Sequence, residues 1–121
     1  MPFDWSEYLV LAKELSTRAD EASWRTAISR AYYAAYWHAR LGLNDEANIS
    51  SHPGNKHDYV WQFYWSSNNK SGESIGKNGK TLSGHRAAAD YKAAIAITKS
   101  TAEIRIRQAE ILIDDINRLE S

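Results

Sequence analysis

The stretch Asp20–Gly42, DEASWRTAISRAYYAAYWHARLG, decides the fold. It contains no proline, its only glycine is its last residue, and it is too long for a strand, so its spacing predicts a helix. Trp24, Ala27, Ile28, Ala31, Tyr32, Ala35 and Ala39 mark one face, and Tyr33, Tyr36 and Trp37 cover much of the remainder. A helix apolar on most sides is one surrounded by other elements. The expectation is a central rod inside a small helical protein.

Working outward, 121 residues leave room for one domain, spanning 1–121. Hydrophobic residues make up 43% of the chain, and five Trp and seven Tyr supply large areas for burial. Fifteen basic residues balance fifteen acidic ones, so any nucleic-acid surface must be a local patch. The absence of cysteine excludes disulfides, thiolate metal sites and a cysteine nucleophile. The start, MPFDWSEY, lacks the basic-then-apolar pattern of a signal peptide, and no run approaches 18 apolar residues. A soluble, cytoplasmic protein without a membrane partner is expected.

On the N-terminal side, Asp4 is placed to cap a first helix, with Glu7 three residues on and Phe3 stapling against Tyr8. Trp5, Tyr8, Leu11, Ala12 and Leu15 follow at helical spacing. Asp20 then caps the central helix. On the C-terminal side, Leu43 to Pro53 is polar and breaks the pattern, and Pro53 suits the first turn of a third helix. That helix carries His57, Val60, Trp61, Phe63 and Tyr64. Ser66 to Gly84 holds four Gly among Asn, Ser and Lys, and reads as a long mobile loop. Thr81 or Ser83 would cap a fourth helix through HRAAADYKAAIAI. Ser100-Thr101-Ala102-Glu103 is a capping box for a fifth, from Thr101 to Leu119, with Ala102, Ile106, Ala109, Ile113 and Ile116 as its stripe. Ile104, Ile111, Leu112 and Leu119 widen that stripe. Glu103–Arg107 and Asp114–Arg118 are four-residue ion pairs. An all-α, up-and-down bundle of four to five helices results.

Several residues carry candidate chemistry. Gly79-Lys80-Thr81 matches the end of a P-loop, but Ser74 stands where the motif needs glycine and no strand precedes it. His52, His57 and Asp58 are near neighbours, with His38 or His85 further off, yet no metal-ligand spacing appears, so neither a metal nor a cofactor is expected. Arg30 is a charge in a largely apolar helix; it must pair with a carboxylate or face a cleft or subunit surface. Arg86 and Asp90 are one turn apart and can pair, with Tyr91 projecting to another side.

Ser29-Arg30-Ala31-Tyr32-Tyr33-Ala34-Ala35, then His57, then Arg86-Ala87-Ala88-Ala89-Asp90-Tyr91, resembles the HEPN domain superfamily, in particular small stand-alone members with S-R-x-Y-Y-A and R-x-x-A-D-Y motifs. The resemblance spans Trp5 to the last helix. It implies a helical bundle that forms a homodimer, in a toxin–antitoxin or defence-type system, with a nucleotidyltransferase-type antitoxin as partner. It also implies an Arg-x(4–6)-His site for metal-independent RNA cleavage, in which imidazole moves a proton and guanidinium stabilises the attacked phosphate. By position Arg86 matches that arginine, but Tyr91 stands in the histidine slot. A phenol with an ordinary pKa near 10 is a poor base at neutral pH. Arg86 and Tyr91 are therefore the catalytic positions of a degenerate motif, with Arg30, Tyr33, His57, His85 and Asp90 as binding residues. The expected function is binding of RNA, a nucleotide or a partner protein. Active endoribonuclease and structural oligomer-forming subunit are the alternatives.

Overall fold

The computed structural model describes residues 2–120. Its elements are α1 (Glu7–Ser16), α2 (Glu21–Gly42), α3 (Glu46–Ser51), α4 (Lys56–Trp65), α5 (Lys70–Tyr91) and α6 (Lys99–Glu120), with no strand among the described residues. The chain is all-helical.

Helix α2 is the rod. The Asp20 side chain accepts from Ser23 N at 2.9 Å and fixes its start. Ala27, Ile28, Ala31, Tyr32, Ala35 and Ala39 are buried as the spacing predicts, and Ala34 and Tyr36 join them from the other side. The rod packs against α1, α4, α5 and α6. Its small residues let neighbours approach closely, while its tyrosines fill the space between them. Helix α1 contributes Ala12 and Leu15, and Phe3 meets Tyr8 at 5.5 Å, as the staple requires. Asp4, however, bonds to Ser6 N and Ser6 Oγ, so it orders the turn before α1 instead of capping it.

The largest difference lies in Ser66–Gly84, which is not a loop. Helix α5 starts at Lys70, where the Asn69 side chain accepts from Ser71 N and Gly72 N at 2.8 and 3.3 Å. Three of the four glycines that suggested a loop, Gly72, Gly76 and Gly79, lie on one buried face. A Cβ at Gly76 would stand 2.5 Å from Trp61 O, and one at Gly79 would stand 2.1 Å from Trp61 Cε3. They let the α5 backbone lie directly on α4, with Ile75 and Leu82 buried on the same side. Trp61 is completely buried there, and a tryptophan so covered contributes on the order of 4–6 kcal/mol by area. That outweighs a helix-propensity cost of about 1 kcal/mol per glycine. The Gly79-Lys80-Thr81 triplet is thus mid-helix.

Other boundaries move for local reasons. Pro53 lies outside α4, which begins at Lys56 with Asn55 accepting from Asp58 N at 3.1 Å. Phe63 of that helix is exposed, whereas Val60, Trp61 and Tyr64 are buried. The polar stretch before it contains the short helix α3, held by fully buried Ile49 and by Glu46, which pairs with Arg40. Helix α5 ends at Tyr91, so KAAIAI is a connector instead of a helix continuation. Helix α6 is capped by the Thr98 hydroxyl on Thr101 N at 3.1 Å, two residues ahead of the expected box. Ala102, Ile106, Ala109 and Ile116 are buried with Leu112, but Ile104 and Ile111 face outward. Arg118 pairs with Asp115, three residues away.

Candidate functional site

Tyr33, on the flank of α2, is the hub of the polar cluster. The Arg30 guanidinium lies 5.2 Å from its ring centroid, Arg86 lies 5.6 Å away, and the His57 ring lies 5.7 Å away. Helical geometry explains the assembly. Arg30 and Tyr33 are three residues apart and share a face of α2. His57 enters from the first turn of α4. Arg86 comes from the last two turns of α5, on the side turned toward α2.

Behind the hub runs a hydrogen-bonded relay. Trp61 Nε1 donates to the Tyr32 hydroxyl at 3.0 Å, and that hydroxyl is 2.6 Å from His57 Nδ1. The indole can only donate, and Ser83 is a further partner of the phenol, so the Tyr32 hydroxyl joins three groups. Burial, reinforced by the Arg86 charge, pushes His57 down from 6.5 to about 4. Burial also pushes Tyr32 up to about 12, so its hydroxyl stays protonated. His57 stacks on Tyr36 at 4.1 Å, which fixes its ring plane. His57 Nε2 makes no hydrogen bond within the described chain and is not sealed from solvent.

The two arginines are incompletely neutralised. Arg86 Nη1 reaches Asp90 Oδ2 at 3.5 Å, a long contact, and Arg86 Nε is buried without a partner. Its charge also lies over the Tyr32 ring at 5.4 Å. The same Asp90 oxygen accepts from Ser29 Oγ at 3.2 Å, and Ser29 Oγ accepts from Arg30 Nη2 at 3.3 Å. Arg30 is held between Tyr8, at 4.8 Å, and Tyr33. Among the described residues no carboxylate forms an ion pair with it. Of the alternatives that the sequence left for Arg30, pairing with a carboxylate is not the one observed; two tyrosine rings hold it instead.

The structure thus brings together Arg30, Tyr33, His57, Arg86 and Asp90. It does not bring in Tyr91, which is 78% exposed at the end of α5. His85 is half-buried on a different side, where burial and the nearby Arg105 lower its pKa. Tyr32, Trp61, Ser29 and Tyr8 are the members that sequence reasoning missed as site components. The signal for Ser29 was its place beside Arg30 in the motif. The other three looked like core, and two of them, Tyr32 and Trp61, are also buried.

Elsewhere, a groove of 760 Å³ along the outer side of α4 is lined by His52, Asp58, Tyr59, Phe63 and Lys80 and is separate from the arginine cluster. Among the described residues no cluster of three or more His, Asp or Glu is placed to hold a metal ion. No helix among them is long and apolar enough to cross a membrane.

Chemically, the cluster offers two guanidinium edges, one carboxylate and one imidazole whose Nδ1 is engaged by Tyr32. Set beside family models, curated proteins and solved structures, the chain matches none of them.

Proposed function

We propose that the chain is a HEPN-type helical module of a toxin–antitoxin or defence-type system that binds RNA or a nucleotide through phosphate, without cutting it. The observation that carries this reading is the convergence of Arg30, Arg86 and His57 on Tyr33, with Asp90 the one carboxylate in contact with them. Oriented guanidinium donors suit phosphate oxygens, and a half-exposed tyrosine ring suits a nucleobase. An imidazole with Nδ1 engaged by Tyr32 and a pKa lowered to about 4 is a weak base for the 2′-hydroxyl proton on which ribonuclease action depends. Homodimerisation, a cytoplasmic setting and a nucleotidyltransferase-type antitoxin partner belong to the same proposal and rest on the motif resemblance.

Active endoribonuclease is the second reading, favoured by Arg86 and His57 lying side by side. It replaces Tyr91 with His57 as the group facing the arginine.

Fluorescence anisotropy with a labelled single-stranded RNA, followed by gel analysis of the same sample, tests both. The expected result is binding with intact RNA, weakened about tenfold in Arg86→Gln by loss of a charged contact. No binding at about 100 µM, the weak end of non-specific affinities, sinks the first reading. Cleavage abolished by His57→Gln establishes the second.

A further inference from the structure

Helix α6 turns one line of side chains to solvent that neither the core nor the arginine cluster uses. We propose that two copies of the chain meet along this line, with their α6 helices antiparallel. The inference rests on the homodimer included in the reading above and gives it a surface.

Three observations support it. First, pattern: Ile104, Arg107, Ile111 and Asp114 follow at spacings of three, four and three, which sets them along one side of a helix. It is the side away from Ala102, Ala109 and Ile116, which are completely buried. Ile104 is 51% exposed and Ile111 is 44% exposed, although both are large and apolar. Val10 of α1, also exposed, stands one turn from Lys13, which pairs with Glu110 of α6 at 2.8 Å.

Second, charge: Arg107 and Asp114 are exposed, and among the described residues neither forms an ion pair. The expected pair of Glu103 with Arg107 is not made, and Arg118 meets Asp115.

Third, symmetry: a two-fold axis passing between Glu110 and Ile111 turns the helix end for end. Arg107 and Asp114 stand equally far from that midpoint and two turns apart, on nearly the same side. Arg107 of each copy therefore comes opposite Asp114 of the other, and the interface holds that pair twice. The same axis brings the two copies of Ile111 together. Parallel packing would set Arg107 on Arg107 and Asp114 on Asp114, and facing like charges are unfavourable. With fifteen charges of each sign, no net charge holds two copies apart. The arginine cluster draws no side chain from α6, so each copy keeps its own.

Sedimentation of the full chain tests the interface, with circular dichroism to confirm that each variant folds. The parent is expected to be dimeric at about 100 µM, a loading that populates weak association. Arg107→Asp and Asp114→Arg should each weaken the dimer at least about tenfold, since each sets like charges opposite one another twice. Mixing these two variants should restore the dimer, because every facing pair is then of opposite sign; mixing does not repair a folding defect. The chain has no cysteine, so single introduced thiols report the register. Ile111→Cys should give a disulfide-linked dimer on oxidation, and Ile104→Cys should not, its two copies lying about 20 Å apart along the helices. Any other crosslinking pattern, a mixture that stays monomeric, or a dimer indifferent to both charge reversals overturns this interface and leaves the homodimer standing. A monomeric parent at that concentration overturns the interface and the homodimer together, and leaves the RNA-binding reading to its own test.

Discussion

His57 is held as a neutral imidazole by burial and the nearby Arg86 charge, and this has a measurable cost. Its pKa falls from 6.5 in the open chain to about 4 in the folded one, so between those values the unfolded state binds more protons. The stability gained from the neutral ring is complete above pH 6.5 and is lost as pH falls toward 4. His85 shifts in the same direction and adds to the loss. Thermal melts from pH 7 to 4 should show a decrease of roughly 1–2 kcal/mol from His57, allowing for its half-exposed position. His57→Gln should flatten most of that decrease, and a histidine NMR titration should place the His57 midpoint near 4. Arg25 is a second residue with a readable role. Its guanidinium donates to Ala89 O at 3.0 Å, Lys92 O at 3.3 Å and Ile95 O, gathering carbonyls where α5 ends. Arg25→Ala should cost about 2 kcal/mol and raise amide exchange in Tyr91–Thr98 before the rest of the protein.

At the scale of the helix, α5 carries two opposite predictions from one residue type. Gly79→Ala drives a methyl into Trp61 and should destabilise by about 1–3 kcal/mol through overpacking. Gly84→Ala meets nothing within 4 Å and should stabilise by about 0.5–1 kcal/mol. Denaturant melts of the two variants, compared with the parent, should move in opposite directions. The same helix shows what was legible in the chain and what was not. The rod α2 announced itself because its alanines and tyrosines are apolar at helical spacing. Gly72, Ile75, Gly76, Gly79 and Leu82 keep the same spacing, but glycine is read locally as a breaker, and only the tryptophan on the neighbouring helix makes its smallness an advantage. The short α3 was hidden likewise, because its one buried side chain, Ile49, gives no period.

For the molecule as a whole, fifteen positive and fifteen negative residues give no general pull toward polyanions. Binding through the Arg30–Arg86 cleft should therefore have a shallow salt dependence. Two phosphate-facing arginines correspond to a log–log slope of about −1.4 for a single strand. A titration from low to moderate salt checks it; a slope several times steeper would mean that RNA is held over a broad surface instead. The site was legible only in part for a related reason. The motif residues Arg30, Tyr33 and Arg86 stood out along the chain, and His57 was noticed, but which of them would meet is decided by how three helices pack. Tyr91 follows Asp90 directly and still projects away, because successive helical residues diverge by about 100°.

Trp61 makes the packing of α4 on α5 visible to light. Its indole is wholly excluded from water, clamped by Gly79 and bonded through Nε1 to the Tyr32 phenol. Its emission should be blue-shifted relative to those of Trp5, Trp24, Trp37 and Trp65, all of which keep some contact with solvent. An occupant of the cleft that nudges His57 would perturb this chromophore through the phenol, giving a label-free optical reporter one hydrogen bond removed from the ring that meets the ligand.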